Sequence, residues 1–109
     1  MPEDDVKGVL PAMTDSVYVV GQITVRNPAK WAEYRSQVPA TLEPWQAVLM
    51  FRGNQIEVLA GEEPHADIVV IRFPSVAAVN GWYASPAYQA LVPLRDEAAK
   101  VVLVVYGAG

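Results

Sequence analysis

The sequence predicts a small single-domain protein of the α+β class. Its 109 residues fall within the usual size of one domain, and 52% of them are apolar while 18% are charged, so one packed core is expected. Segments rich in Val and Ile alternate with segments whose apolar residues recur at helical spacing. The strands and helices therefore follow one another in the order β-α-β-β-α-β.

The charge balance limits the partners of the chain. A net charge of −4 argues against nucleic acids and anionic membranes, since both bind clustered Lys and Arg. The absence of cysteine excludes disulfides and thiolate chemistry. The acidic N-terminus is unlike a secretory signal, so we expect a cytoplasmic protein with a flexible tail over residues 1–16 and a folded domain over 17–109.

The first half of the domain begins with a strand and a helix. Residues 17–26 alternate between two faces, with Val17, Val19 and Ile23 on one of them, which predicts a strand. Asn27 and Pro28 are typical of a helix start, and this helix should end between Pro39 and Pro44. Residues 47–51 and 55–60 flank Gly53-Asn54, a pair that favours a hairpin or bulge between paired or interrupted strands.

The second half repeats the pattern. Residues 66–73 form a near-continuous apolar run, which predicts a strand buried on both faces. Ser75 and Ser85-Pro86 can each cap a helix, so two helical pieces should meet near Ala84, and Pro93 should either kink the second of them or break it into two short segments. Residues 101–106 complete the sheet as a last strand.

This order corresponds to a ferredoxin-like βαββαβ fold, in which both helices lie on one face of an antiparallel sheet. The strands at 66–73 and 101–106 carry large apolar residues on both sides, so the helix-free face should be apolar as well. Such a patch exceeds what soluble monomers usually expose. We therefore expect a homodimer in which a second copy covers this face.

The motifs of the chain resemble those of the family called domain of unknown function 1330. The resemblance rests on Arg26-Asn27-Pro28 with Trp31 and Tyr34, on Phe51-Arg52-Gly53, on Arg72-Phe73-Pro74-Ser75, on the run from Trp82 through Ser85-Pro86 to Tyr88-Gln89, and on Arg95. It extends over about residues 17 to 107. It implies a dimeric α/β barrel related to antibiotic-biosynthesis monooxygenases and muconolactone isomerases, with no defined activity.

The chain contains no phosphate-binding loop, dinucleotide fingerprint, nucleophile elbow or metal-binding histidine pair. His65, the lone histidine, stands in a polar connection and is interpreted as a surface residue. The sequence predicts neither a metal site nor a bound cofactor.

Arginines and aromatic residues are the remaining candidates for a site. A buried Arg52, Arg72 or Arg95 requires a carboxylate, which either the chain or a small acidic ligand can provide. An aromatic set on the two helices can line a ligand pocket or fill the core, and the core is favoured for its two tryptophans. This set comprises Trp31, Tyr34, Trp82, Tyr83 and Tyr88.

These residues suggest an enzyme that transfers a proton to, or orients, a small acidic or aromatic substrate. Its catalytic residues would be Tyr34, Tyr88 and Arg95, and its substrate-binding residues would be Arg52, Arg72, Trp31, Trp82 and Tyr83. An isomerase, a lyase or a cofactor-independent oxygenase fits this description. A metabolite-binding module without catalysis and a purely structural dimer are the alternatives.

Overall fold

A computed structural model describes residues 16–107 of the chain. Within this range the strands are β1 (Val17–Val25), β2 (Val48–Asn54), β3 (Asp67–Phe73) and β4 (Ala99–Gly107). The helices, renumbered here in chain order, are α1 (Pro28–Leu42), α2 (Val76–Ala84), α3 (Pro86–Gln89) and α4 (Val92–Ala98), and a 3-10 turn covers Glu43–Trp45. The expected tail over 1–16 lies outside the described residues except for Ser16.

The strands form one antiparallel sheet in the order β2-β3-β1-β4. In the central strand β1, Val17, Val19 and Ile23 are buried, while Tyr18 and Val20 on the opposite face are half-buried. The buried side packs against the helices, where Phe73 and Tyr88 have no exposed surface. This confirms the predicted α+β class and the ferredoxin-like βαββαβ fold.

The opposite face of the sheet is apolar, as the sequence predicts. Across the strands, Val20 lies beside both Val70 and Val104, and Phe51 pairs with Val70 in turn. Phe51 is 57% exposed in the single chain, and Val104 is 39% exposed. Packing of the helices thus leaves a sheet face of large apolar side chains open.

Helix α1 begins and ends where its sequence indicates. The Asn27 side-chain oxygen accepts a hydrogen bond of 3.1 Å from the backbone N–H of Lys30, and Pro28 occupies the first helical position. The helix continues through Pro39 and ends at Leu42, inside the expected interval. Gln46, with a φ of 56°, then turns the chain toward β2.

The hairpin expected at Gly53-Asn54 is wrong, and so is the strand expected over 55–60. Gly53 and Asn54 belong to β2 and pair with Ile68 and Asp67, and residues 55–66 form a long connection without regular secondary structure. The ladder is irregular earlier, between Leu49 and Phe51. Gly53 serves the packing of Phe51, since a Cβ at this position would stand 2.6 Å from the Phe51 ring.

Serine caps define the helices of the second half. Ser75 Oγ accepts from the backbone N–H of Ala78 at 3.1 Å, and Ser85 Oγ accepts from that of Tyr88 at 3.2 Å. Ser85 Oγ also donates to the carbonyl of Trp82 at 2.6 Å, so it joins the end of α2 to the start of α3. As predicted, the two pieces meet near Ala84, and a break at residues 90–91 separates α3 from α4.

Replacement of Ser85 by alanine should therefore destabilise the protein. We expect Ser85→Ala to lower the free energy of unfolding by about 1 kcal/mol, a typical value for an N-cap. Urea denaturation monitored by circular dichroism measures this loss. Ser36→Ala, on the exposed surface of α1, is the matched control and should change stability by less than about 0.5 kcal/mol; an equal loss in both variants would refute the capping role.

Candidate functional site

A cavity of about 270 Å³ lies between α1 and the helix-facing side of the sheet. We call it the tyrosine cavity, because Tyr34 of α1 and Tyr88 of α3 both line it. Its walls are mainly apolar and aromatic, formed by Trp31, Val38, Leu42, Leu49, Ile71, Trp82 and Leu103. Such a lining with few polar groups is typical of a small-molecule site.

The two tyrosines meet through their hydroxyl groups. Tyr34 Oη and Tyr88 Oη are 2.8 Å apart, and the side chains are buried, with exposed fractions of 8% and 0%. Trp31 stacks on the Tyr34 ring at 5.0 Å between centroids, and Trp82 contacts the Tyr88 ring at 4.3 Å. The aromatic neighbours therefore fix both phenol rings at the wall of the tyrosine cavity.

Arg95 of α4 extends this pair into a hydrogen-bonded chain. Its Nη1 donates to Tyr88 Oη at 3.1 Å and to Tyr83 Oη at 3.4 Å, and its Nε donates to Asp96 Oδ1 at 3.1 Å. The guanidinium side chain is only 12% exposed, whereas that of Asp96 is 61% exposed. The arginine charge is thus shared among Asp96, Tyr83 and Tyr88.

The available donors and acceptors limit the direction of the hydrogen bonds that link Arg95, Tyr88 and Tyr34. A guanidinium cannot accept a hydrogen bond, so Tyr88 Oη is the acceptor from Arg95. The 2.8 Å contact between the two hydroxyls allows either oxygen to donate, and Tyr88 as the donor to Tyr34 Oη gives the buried Tyr88 hydrogen a partner. The Tyr34 hydrogen remains available to an acceptor in the tyrosine cavity.

Burial keeps Tyr34 protonated. Desolvation, followed by the neighbouring Tyr88 hydroxyl, raises the pKa of Tyr34 well above its usual range. For Arg95, burial lowers the pKa, but the hydrogen bonds to Tyr83 and Tyr88 more than offset this effect and leave the pKa above its usual value. A neutral phenol thus stands at the end of a chain that begins at a cation.

Two further arginines lie at the border of the tyrosine cavity, Arg35 from α1 and Arg52 from β2. Partial desolvation and then the charge of Arg35 lower the pKa of Arg52. Within residues 16–107 neither arginine forms an ion pair with a carboxylate. Two neighbouring cations without a partner in the described chain are suited to bind an acidic group of a ligand.

The structure brings most of the predicted site residues together. Trp31, Tyr34, Arg52, Trp82 and Tyr88 all line the tyrosine cavity. Tyr83 and Arg95 do not line it, but Arg95 donates to both Tyr83 Oη and Tyr88 Oη and so connects them to its wall.

Arg72 is not brought to this site. It pairs with Tyr18 across the sheet and therefore lies on the helix-free face, whereas Ile71 and Phe73 on either side of it face the core. His65 accepts from or donates to Thr24 Oγ1 at 2.8 Å in the connection after β2 and does not line the cavity. Successive side chains along a strand point to opposite faces of the sheet. Arg72 therefore faces away from the cavity, although Ile71 and Phe73 face the core.

Sequence reasoning missed Arg35 and Asp67, which also line the tyrosine cavity. Arg35 follows Trp31 by four residues, and this spacing on one helix face could have indicated it. Asp67 is the first residue of β3 and lies opposite Asn54, whose Nδ2 donates to its Oδ1 at 2.6 Å. No sequence signal marked Asp67, because its position depends on the pairing of β2 with β3.

The described residues 16–107 contain neither a metal-binding group of side chains nor a membrane-spanning helix. No group of three or more His, Cys, Asp or Glu side chains is arranged to hold a metal ion. No helix in this range is long and apolar enough to cross a membrane.

Comparison with known families gives one match. Residues 16–108 match the model of DUF1330, described as a domain of unknown function. The chain belongs to this family. No curated protein matches the chain significantly.

Solved structures share the fold of this DUF1330 chain at low sequence identity. The RPA0582 protein of unknown function from Rhodopseudomonas palustris is 17% identical, with a TM-score of 0.75 over 100% of this chain and 94% of that one. A dimeric ferredoxin-like protein of unknown function from Jannaschia is 11% identical, with a TM-score of 0.68 over 85% and 99%.

SnoaB, a cofactor-independent oxygenase from Streptomyces nogalater, is 14% identical, with a TM-score of 0.66 over 87% of this chain and 94% of SnoaB. At such identities the likeness concerns the fold, which is that of dimeric ferredoxin-like proteins.

The buried state of Tyr34 should make the protein less stable in alkaline solution. The folded state retains the Tyr34 proton above about pH 10, where an unfolded tyrosine loses it, so stability falls as the pH rises past that value. We expect Tyr34→Phe to reduce this alkaline loss, measured by urea denaturation between about pH 8 and 11. Ser36→Ala on the exposed surface of α1 is the control and should retain the loss; identical pH profiles for wild type and Tyr34→Phe would contradict the assignment.

Proposed function

We propose that this protein is a small-molecule enzyme that activates an acidic, flat or aromatic substrate for proton transfer in the tyrosine cavity. The observation that carries the proposal is the hydrogen-bonded chain from Arg95 through Tyr88 to Tyr34, which ends at an apolar cavity. Tyr34 donates a hydrogen bond to a substrate oxygen, and this bond strengthens as negative charge develops there.

Each side of the cavity has a separate part in this proposal. Arg35 and Arg52 bind the substrate carboxylate at the border, and Trp31 provides a flat apolar surface for the body of the substrate. Asp67 is the carboxylate that accepts a proton from the substrate carbon next to the activated oxygen. The electron pair of that C–H bond then forms an enolate, whose oxygen is stabilised by Tyr34.

The comparison with SnoaB supports a reaction of this kind. SnoaB is a cofactor-independent oxygenase with the same fold. A chain without a resident cofactor can activate a substrate by forming and stabilising its carbanion or enolate. Isomerisation, elimination and oxygenation can all begin from such a species, so the proposal names the first step and not the final product.

We further propose that the protein is a homodimer formed through the helix-free sheet face. Exposed Phe51, Val102 and Val104 support this assembly, since removing their remaining apolar surface from water is favourable. We expect sedimentation at micromolar concentration to give a species of twice the 11.9 kDa chain mass. Val104→Glu should yield monomers, whereas Val76→Glu on the exposed surface of α2 should not; a wild-type monomer would refute the dimer.

The proposed reaction can be tested by hydrogen exchange at carbon. The protein is incubated in D₂O with aromatic 2-oxo acids such as phenylpyruvate, and NMR measures the rate at which deuterium replaces hydrogen next to the carbonyl. We expect exchange above the solvent rate, and we expect Tyr34→Phe to slow it by about 10² to 10³, a typical effect of removing one oxyanion donor. Asp67→Asn should slow exchange as well.

Binding and chemistry are separated by matched variants. Arg52→Met should raise the dissociation constant of the acid with little change in the saturated rate, because it removes an anchor and not a proton donor. Ser36→Ala on the exposed surface of α1 should leave both quantities unchanged. Exchange at the solvent rate with the acids bound would overturn the enzyme proposal and leave a metabolite-binding module.

A further inference from the structure

A second cavity lies on the other side of Trp82 and has a different character. Its volume is about 300 Å³, and Trp82, Val101 and Leu103 line both this cavity and the tyrosine cavity. We call it the valine cavity, because Val19, Val79, Val101 and Val105 form its apolar walls. At this size it matches the lower end of ligand pockets.

Among residues 16–107, the polar groups of the valine cavity come from Asn80, Tyr83 and Arg95. No carboxylate of this part of the chain lines it, whereas Glu43 and Asp67 line the tyrosine cavity. The valine cavity therefore combines apolar walls with hydrogen-bond donors and one positive charge.

Arg95 retains donors that the protein does not use. A guanidinium has five N–H groups, and those of Nε and Nη1 bind Asp96, Tyr83 and Tyr88. Among residues 16–107, Nη2 has no hydrogen-bond partner. Every fully buried side-chain nitrogen or oxygen in this range has a partner, so Nη2 is not fully buried, and Arg95 lines the valine cavity.

Tyr83 adds a second donor beside it. Its hydroxyl oxygen is the acceptor from Arg95 at 3.4 Å, and its own hydrogen has no acceptor among the described residues. A carboxylate with two oxygens matches a guanidinium N–H together with a neighbouring hydroxyl. The one acidic neighbour, Asp96, is 61% exposed, so water screens its charge.

We infer that the valine cavity is a second binding site, which takes a small branched or short-chain aliphatic carboxylic acid. The carboxylate accepts hydrogen bonds from Arg95 Nη2 and the Tyr83 hydroxyl, and the aliphatic chain contacts the valines. The site is separate from the tyrosine cavity and does not depend on the function proposed above. Because Arg95 also donates to Tyr88, the negative charge of an acid bound here offsets the positive charge of Arg95. Arg95 begins the hydrogen-bonded chain that ends at Tyr34, so this chain is affected as well.

The inference is tested with isovalerate and its uncharged amide, using NMR titration of the labelled full-length protein. We expect isovalerate to bind with a dissociation constant on the order of 1 mM or lower, and to shift the amide signals of Val79 and Val105 rather than those of Val38 and Leu49. The amide should bind at least about tenfold more weakly, since it lacks the charge that strengthens the hydrogen bond.

Variants distinguish this site from the tyrosine cavity. Val105→Phe fills the valine cavity and should weaken isovalerate binding by about tenfold or more, whereas Val76→Phe, which lines neither cavity, should not. Arg95→Lys retains the positive charge and preserves the folding contacts better than Arg95→Met does. It should bind isovalerate with an affinity between those of the wild type and Arg95→Met. Arg52→Met should leave this binding unchanged.

Three results would overturn the inference: no binding of isovalerate, equal binding of the amide, or loss of binding in Arg52→Met but not in Val105→Phe. The last result would place the acid in the tyrosine cavity and would support the carboxylate anchor proposed there. Failure of the deuterium-exchange test, in contrast, would leave the valine cavity unaffected, since its test measures binding alone.

Discussion

The hydroxyl group of Tyr88 is the point on which the arrangement of the helices depends. Tyr88 belongs to the four-residue helix α3, yet its oxygen joins Tyr34 of α1 and Arg95 of α4. A helix of this length does not form on its own in water, so its geometry comes from the Ser85 cap and from packing around the Tyr88 ring. One buried oxygen therefore fixes three helices relative to one another.

This network also explains how the domain tolerates a nearly buried arginine. An isolated guanidinium away from water would be costly, and a buried carboxylate would have to lose its own hydration to compensate. Two phenol oxygens accept from Arg95 without bringing a second buried charge, while the exposed Asp96 takes Nε. Because the carboxylate beside Arg95 is exposed, the positive potential of Arg95 persists and extends through Tyr88 toward the tyrosine cavity.

The two faces of the sheet divide the remaining tasks. The helix-facing side holds both cavities, with Trp82 between them. The other side has a continuous apolar surface that includes Val20, Val70 and Val104. A dimer formed through that surface would cover the helix-free face of the sheet and leave the helix side accessible to ligands. This arrangement agrees with a fold shared with dimeric ferredoxin-like proteins.

The sequence by itself determined the order of the elements and the two-faced pattern of β1. It also determined the caps at Asn27, Ser75 and Ser85 and the open apolar face. These features depend on local propensity and on alternation along one strand. The sequence also identified five of the residues that line the tyrosine cavity, Trp31, Tyr34, Arg52, Trp82 and Tyr88. Only the tertiary structure decided that Gly53 lies within a strand, that Arg72 faces away while Arg35 and Asp67 face the cavity, and that Arg95 reaches Tyr34 through Tyr88. Those features depend on which strands pair, on the register of their pairing and on contacts between distant residues, and the pattern within one segment does not specify its partner.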